Sequence, residues 1–508
     1  MTRATTGPGG GDHSPEERFG GRFDLGGRSL RTHTARGSLV NAVFVVGVNL
    51  LTILKGFVVA ALIAPSDYGV WGIIITTFIT VALLKSVAVA DRFIQQDEGD
   101  QELAFQRAFT MELLLSGAFT VAFLLAVPLA AAVYGRPELV APGIVLALVI
   151  PAGVLASPLM VFYRRMEFVK QRVVQSLDPI VGFAVTVSLA VAGAGYWSFV
   201  AGIVAGSWAT AIVALIASPY RLRIRFDRAV AKDYLSFSWP LFVAGAGGVA
   251  IAQGSLLVGE HTAGLAAVGV IALASSVTTY AERVDQIITT TLYPAICAVA
   301  ERTDLLFETF VKSNRLALMW SLPFGLGLIL FAPDLVNFIL GERWRAATPL
   351  LQVFGATTLL YQVGFNWQAF YMARGQTKPT AVVAVITALA FCAATIPLTL
   401  TYELDGFAAG MAVMTVVNFA ARTWFLTRLF DGFKMARHFA RAMAPALPGL
   451  AAVLLVRALE PAERTQSIAL GELLLFGATT VAATLLMERS LLKEVRGYIS
   501  GSPDPGPA

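Results

Sequence analysis

Charged side chains are scarce in this chain of 508 residues. Asp, Glu, Lys and Arg together make up 14 % of the sequence, whereas a typical soluble protein carries about 25 %. Hydrophobic residues account for 56 %, and the mean hydropathy is +0.70. So little polar surface cannot cover a soluble enzyme of several domains. The composition therefore indicates an integral membrane protein.

Groups that bind metals or act as nucleophiles are also few. The two cysteines, Cys297 and Cys392, lie in apolar surroundings, and we expect both to be buried as small hydrophobic residues. The four histidines are far apart in the sequence, and there is no Gly-x-x-x-x-Gly-Lys-Ser/Thr, His-Glu-x-x-His or Cys-x-x-Cys pattern. We therefore expect the protein to have no enzymatic activity, no metal site and no cofactor. We expect it to bind its ligand and move it.

Apolar runs long enough to cross a bilayer, which takes about 20 residues in a helix, follow one another along the chain. They predict an all-α polytopic membrane protein with about 14 transmembrane helices, arranged as two six-helix lobes around a central cavity plus two extra C-terminal helices. The predicted spans are 39–63, 69–90, 108–133, 139–162, 174–193, 196–217, 235–258, 264–290, 316–332, 346–372, 379–400, 404–427, 442–458 and 467–487.

A weak internal repeat supports this organisation. The turns after the first and seventh predicted spans place Gly69 and Gly269 in corresponding positions, as expected for duplicated halves. The predicted parts are a disordered cytoplasmic tail (1–36), an N-terminal lobe (37–217), a basic cytoplasmic linker (218–234), a C-terminal lobe (235–430), two additional helices (431–487) and a cytoplasmic tail (488–508).

The basic residues predict the orientation. When both termini are placed in the cytoplasm, 31 of the 38 Lys and Arg residues fall in the tails, in inner connections or at the adjacent helix ends, as the positive-inside rule requires. The pI of about 9.2 thus reflects membrane topology, and it does not indicate nucleic-acid binding. Connections on the predicted outer face are short and leave no room for an external catalytic domain.

Polar residues inside the spans are the candidate site residues, because a charge at mid-bilayer costs about 2.5–3.5 kcal/mol and usually faces an internal cavity. Lys55 is the clearest case, since it is eight residues from the predicted end of its span. The candidates are Asn49, Lys55, Lys85, Gln253, Glu260, Arg283, Asp285, Asn366 and Arg422.

Several short stretches, in matching order, resemble motifs of the polysaccharide transporter family. These are the Wzx-like oligosaccharide flippases of the multidrug/oligosaccharidyl-lipid/polysaccharide (MOP) exporter superfamily. The stretches are 64–69 (like L-G-P-x-D/E-Y/F-G), 91–96 (like A-L-I-Q), 162–168 (like R-x-x-x-F), 195–200 (like G-x-W-A-L-V), 340–351 (like L-G-x-x-W-x-x-A-x-P-L-L) and the turn 375–379.

The chain departs from this family pattern at two places. Many members carry an Arg just before the first turn, where this chain has residues 60–62 (Ala-Ala-Leu), and many carry an Asp in the seventh helix, where this chain has Gly254. The missing acid argues against ion coupling through that helix in the usual way. Glu260 is a displaced substitute, and Asp285 is a second weak candidate for ion coupling.

The resemblance implies export of a lipid-linked glycan across the cytoplasmic membrane. Lys55, Lys85, Arg283 and Arg422 would provide positive potential for the diphosphate. Sugar hydroxyls would bind to Asn49, Gln253 and Asn366. Expected partners are the lipid-linked oligosaccharide, membrane lipids and a polysaccharide polymerase or glycosyltransferase; the protein is expected to be a monomer. Alternatives are a drug/cation antiporter or a lipid II flippase of the same superfamily and, less favoured, a membrane glycan polymerase.

Overall fold

The computed structural model describes residues 50–82, 100–165, 167–376, 378–459 and 464–500, and the single positions 44, 47, 48 and 93. Regular secondary structure within these residues is helical throughout, as predicted. Between its ends a helix forms its backbone hydrogen bonds within the segment, which is what a lipid environment demands of an apolar run.

The N-terminal half contains six helical segments. The fourth is interrupted by short 3₁₀ and turn positions near its prolines. The segments are α1 (Leu50–Leu62), α2 (Pro65–Ala82), α3 (Gln101–Val133), α4 (Pro137–Arg164), α5 (Phe168–Val191) and α6 (Trp197–Ile216).

The C-terminal half begins with a long, bent helix and ends with a short amphipathic one. Its segments are α7 (Arg228–Ala298), α8 (Thr303–Leu335), α9 (Ala347–Gln362), α10 (Trp367–Ala373), α11 (Lys378–Leu429), α12 (Met435–Leu459), α13 (Gln466–Met487) and α14 (Arg489–Ser500).

Nine helical stretches in the described part of the chain are long and apolar enough to cross a membrane, so this is a multi-pass membrane protein. The predicted spans 379–400 and 404–427 both lie in the single stretch α11, and 235–258 and 264–290 both lie in α7. The count of fourteen spans therefore stays a prediction.

Among the described residues, backbone breaks divide the long helices α7 and α11, and a third break separates α9 from α10. In α7 the break is at Gly264, which has φ 74°, and in α11 it is at Tyr402 and Glu403, the latter with φ 52°. Between α9 and α10, Val363 is extended and Gly364 has φ 73°. The first two breaks coincide with predicted turns, whereas the third lies inside the predicted span 346–372.

The two halves meet at one end of the bundle. The indole Nε1 of Trp344 donates a hydrogen bond to the carbonyl oxygen of Ala60 at 2.8 Å, and its ring meets that of Tyr68 edge-on, 5.5 Å between centroids. Arg136 of the N-terminal half forms an ion pair with Glu260 at 2.7 Å. We call the end defined by these five residues the closed end.

Ion pairs hold the last helices against α8 at both of its ends. At the closed end Asp334 binds Arg464 and Arg457, which also bind Glu472 of α13. At the opposite end Lys312 binds Glu494 of α14 at 2.6 Å. The C-terminal helices are therefore fixed to the C-terminal half.

The prediction of two buried cysteines was wrong. Cys297 and Cys392 are both exposed at the surface of the bundle. An apolar sequence context indicates burial only when the exterior is water, and here the exterior of the spanning helices is lipid.

Candidate functional site

Helix α1 separates a polar pocket from an apolar cavity. Thr52 and Lys55 line the polar pocket, while Ile53, Leu54 and Phe57 line the apolar cavity. Residues three and four apart share one face of a helix, so the sequence order of α1 produces one polar side and one apolar side.

The polar pocket has a volume of about 550 Å³ and lies among α1, α4, α5 and α6. Two of its lining residues carry opposite charges, Lys55 and Asp178, and their coulombic attraction acts across the pocket. Gly206 of α6 makes room for Asp178, because a Cβ at that glycine would overlap both the backbone and the carboxylate of Asp178. The pocket can therefore hold a polar or charged group inside the N-terminal half.

The apolar cavity is larger, about 1020 Å³, and lies among α1, α8 and α13. Leu328 and Phe331 of α8 and Leu473 and Phe476 of α13 line it opposite α1. Asp334, at the closed end, is its acidic lining residue. Away from Asp334 the surface is apolar and suits hydrocarbon.

A second polar pocket, of about 260 Å³, lies in the C-terminal half beside the break between α9 and α10. We call it the Arg422 pocket, and its polar lining includes Arg422, Asn418, Thr387 and Gln368. Arg422 is only 3 % exposed. Its guanidinium donates to the carbonyl oxygen of Tyr361 at 2.7 Å.

Gln253 and Glu260 lie where the halves meet. The Gln253 amide accepts a hydrogen bond from Tyr134 at 3.1 Å and donates one to Thr80 at 2.7 Å. Glu260 is paired with Arg136 through one carboxylate oxygen, while the other oxygen is buried without a partner. In this conformation both side chains join the two halves.

Asn366 is buried in the break between α9 and α10. Its amide nitrogen donates to the Ser313 hydroxyl at 2.8 Å, and its amide oxygen is buried without a partner. It lies next to Trp367, which lines the Arg422 pocket.

The structure thus distributes the predicted site residues over separate places. Lys55 lies in the polar pocket, Gln253 and Glu260 at the junction of the halves, and Arg422 and Asn366 at the α9–α10 break. The remaining candidates lie outside what the structure describes: Asn49 and Lys85 entirely, and Arg283 and Asp285 in their side chains.

Among the residues that line the polar pockets, Asp178 and Asn418 were given no binding role from the sequence. Asp178 lies near a basic connection, and a charged residue there is expected to extend toward the lipid head groups. Asn418 carried a usable signal, since it is four residues before Arg422 and so shares its helix face. Pairing Asp178 with Lys55 required knowledge of how α1 packs on α5.

The helices long and apolar enough to span a membrane form a bundle with separate polar and apolar cavities, an arrangement that suits a membrane transporter. The chain belongs to the family described as polysaccharide biosynthesis protein, whose sequence profile matches residues 58–349. This match confirms the resemblance to the polysaccharide transporters.

A curated relative supports this membership. Lipopolysaccharide biosynthesis protein WzxC of Escherichia coli (strain K12) is 24 % identical over 358 residues, which cover 68 % of this chain and 71 % of that protein. The similarity thus extends well beyond the short motifs and covers most of both chains.

Two solved structures share the fold. The lipid II flippase MurJ in an inward closed conformation matches with a TM-score of 0.64 and 14 % identity, covering 89 % of this chain and 99 % of that one. An inward-facing multidrug resistance MATE family transporter of the MOP superfamily matches with a TM-score of 0.60 and 14 % identity, covering 76 % and 98 %. The fold is that of the MOP exporters.

Proposed function

We propose that the protein flips a lipid-linked oligosaccharide, or a related polysaccharide precursor on undecaprenyl diphosphate, from the inner to the outer leaflet of the cytoplasmic membrane. The product serves cell-surface polysaccharide biosynthesis. The two-faced helix α1 is the observation that carries the proposal: one side lines a polar pocket and the other an apolar cavity.

Such a cargo has two incompatible parts. Sugars and a diphosphate cannot cross hydrocarbon unaided, because their hydrogen-bonding groups would lose every partner. A lipid tail, in contrast, is stable against apolar side chains such as those of the 1020 Å³ cavity. α1 offers both environments within one helix width, so head group and tail can be held together while the head group moves.

The predicted residues take these roles in the proposal. Lys55, Lys85, Arg283 and Arg422 give positive potential for anionic groups of the cargo, and Asn49, Gln253 and Asn366 bind sugar hydroxyls. Gln253 uses both ends of its amide to join the halves, so in our scheme it reaches the cargo only after the halves separate. Glu260, paired with Arg136 at the same junction, and Asp285 are the candidates for ion coupling.

Transport in this scheme is a rocking of two six-helix lobes, 37–217 and 235–430, about a central cavity. The basic linker (218–234) connects the lobes, and the helices of 431–487 follow the second lobe. In this scheme both termini, with the tails 1–36 and 488–508, lie in the cytoplasm, as the distribution of positive charges predicts. The closed end then faces outward, as expected of a state that loads cargo from inside. We propose a monomer that acts without nucleic acid or cofactor and beside a polymerase or glycosyltransferase.

The reconstituted protein distinguishes the proposal from its three alternatives, the lipid II flippase, the drug/cation antiporter and the glycan polymerase. Purified protein is reconstituted in liposomes with a fluorescent undecaprenyl-diphosphate oligosaccharide, and movement between leaflets is followed by quenching with a membrane-impermeant reagent. Flipping of this lipid supports the proposal. Flipping of lipid II alone, or efflux of a cationic dye alone, replaces it with one of the superfamily alternatives. Chain extension of the glycan would identify a polymerase.

A further inference from the structure

The break between α9 and α10 exposes the carboxyl end of α9 inside the bundle. Asn314 of α8 stabilises the break, since its amide oxygen accepts from the backbone nitrogen of Gly364 at 3.1 Å and its amide nitrogen donates to the carbonyl oxygen of Gln362 at 3.3 Å. The last carbonyl groups of a helix carry partial negative charge. Arg422 occupies this position.

Two carbonyl oxygens use only part of the Arg422 guanidinium. It donates to Tyr361 at 2.7 Å and to Leu360 at 3.2 Å, whereas a guanidinium has five N–H groups. The Nε of Arg422 is buried without a partner. No carboxylate of the described residues forms an ion pair with it, so a buried positive charge faces the pocket with donors to spare.

The neighbouring amide of Asn418 has a fixed orientation. The Thr387 hydroxyl gives its proton to the carbonyl oxygen of Val383 at 2.8 Å, so its oxygen is left to accept. The Asn418 Nδ2 donates to that oxygen at 2.7 Å. The opposite atom, Asn418 Oδ1, is consequently an acceptor, and it is buried without a partner.

The Arg422 pocket therefore presents one cationic donor and one neutral acceptor, both unfilled. A ligand that satisfies them carries an anionic oxygen for the Arg422 Nε–H and a hydroxyl group for Asn418 Oδ1. The pocket, about 260 Å³, is slightly below the size typical of drug-sized ligands. Gln368 and Gly248 in its lining are exposed, which gives the ligand a way in.

We propose that the Arg422 pocket binds an acidic sugar, a hexuronate residue whose carboxylate pairs with Arg422 and whose hydroxyl donates to Asn418. This inference rests on the proposed function, since it names a sugar class within the cargo. It assigns Arg422 to the glycan in preference to the diphosphate. A diphosphate diester has no hydroxyl proton of its own and would need the attached sugar to reach Asn418, whereas a hexuronate supplies both the carboxylate and the hydroxyl from one ring. A metal cation is excluded by the guanidinium.

The test measures binding of free D-glucuronate to the purified full-length protein by isothermal titration calorimetry, with D-glucose, chloride and inorganic phosphate as comparison ligands. The decisive variant is Asn418→Asp, which places a carboxylate beside Arg422 and fills its free donor from within while the bonds to Leu360 and Tyr361 persist. Arg422→Gln removes the cation. Arg428→Gln is the matched control, because Arg428 lies on the same helix, six residues after Arg422, and is exposed.

We expect saturable binding of glucuronate, at least tenfold weaker binding in Asn418→Asp and Arg422→Gln, unchanged binding in Arg428→Gln and no binding of glucose. Absence of glucuronate binding, or equal binding in Asn418→Asp, overturns the proposal. Phosphate or chloride binding as tight as glucuronate also overturns it, because the pocket would then be a simple anion site.

Leaflet assays separate this inference from the proposed function. Asn418→Asp should raise the KM for a glucuronate-containing lipid-linked oligosaccharide and leave that for a neutral one unchanged. If the wild-type protein flips both lipids and Asn418→Asp changes neither KM, the acidic-sugar site is wrong and the flippase function stands. If the wild-type protein flips neither, the proposed function fails, whatever the calorimetry shows.

Discussion

Gly69 and Gly269, which occupy corresponding places in the two halves of the sequence, pack directly against each other. A Cβ added to Gly69 would lie 3.2 Å from the backbone nitrogen of Gly269 and would overlap the carbonyl oxygen of Leu265, and one added to Gly269 would overlap the carbonyl oxygen of Pro65. The predicted repeat thus brings its two equivalent positions into contact at the closed end. Close backbone approach of this kind is what small residues permit in membrane helices.

We predict that Gly269→Ala opens the closed end, because its methyl group and the Pro65 carbonyl oxygen cannot occupy the same space. In a variant with Cys297 and Cys392 replaced by Ser, a cysteine at Val70, now 3 % exposed, should react at least tenfold faster with an impermeant maleimide applied from outside. Transport should fall. Gly471→Ala is the control, since a Cβ there meets nothing within 4 Å, and an equal response of both variants would contradict the prediction.

Trp344→Phe tests the same junction with a smaller structural change. It removes the hydrogen bond to the Ala60 carbonyl oxygen and keeps an aromatic ring against Tyr68. A lost hydrogen bond of this kind costs about 1 kcal/mol, so maleimide labelling at the Val70 position should rise about fivefold. Trp424→Phe, at a ring that is 49 % exposed, should leave labelling unchanged. A labelling rate unaltered by Trp344→Phe would show that this bond does not hold the end closed.

Lys55→Ala should reduce glycan export to a tenth or less in a complementation assay, and Arg283→Ala is predicted to do so too. Removal of Lys55 leaves Asp178 in the polar pocket without its opposite charge, so the pocket changes from balanced to acidic and repels an anionic head group. Lys55→Arg should restore part of the activity. Lys493→Ala, at an exposed position of α14, is the matched control. Full export in both Lys55→Ala and Arg283→Ala would contradict the proposed sites.

The sequence was sufficient for the helical architecture but insufficient for one of its breaks. Gly264 and the pair Tyr402–Glu403 interrupt apolar runs at polar or turn-forming positions, so the breaks there were predictable. The break after Gln362 lies within a continuous run and is stabilised from another helix, by both ends of the Asn314 amide. Local patterns carry no information about such a partner, which is 48 residues away from Gln362.

Candidate site residues were predictable one at a time, and their grouping was not. Lys55 stood out because a charge deep in an apolar run needs a cavity. Its relation to Asp178 depends on α1 lying beside α5, and the location of Gln253 between Tyr134 and Thr80 depends on contacts between the halves. The sequence thus predicts that a charged residue within a span is buried, whereas the residues around that charge depend on how the helices pack.

The ion pairs at the closed end of α8 lead to a stability prediction. Glu472, with a side chain that is 2 % exposed, binds both Arg457 and Arg464, and Asp334 shares these partners. Hydrogen bonds to Asp334 and Glu472 raise the pKa of Arg464, so this guanidinium remains charged at all physiological pH values. Glu472→Gln leaves two cations facing one carboxylate, and it should lower the free energy of unfolding by about 1–3 kcal/mol, less than for a fully buried pair because both arginines are partly exposed. The thermal midpoint of the purified protein measures this loss.

The control is Glu342→Gln. It removes an ion pair whose side chains are 82 % and 78 % exposed, and it should leave the midpoint unchanged. Equal midpoints for the two variants would show that the ion pairs of Glu472 do not hold α13 to α8.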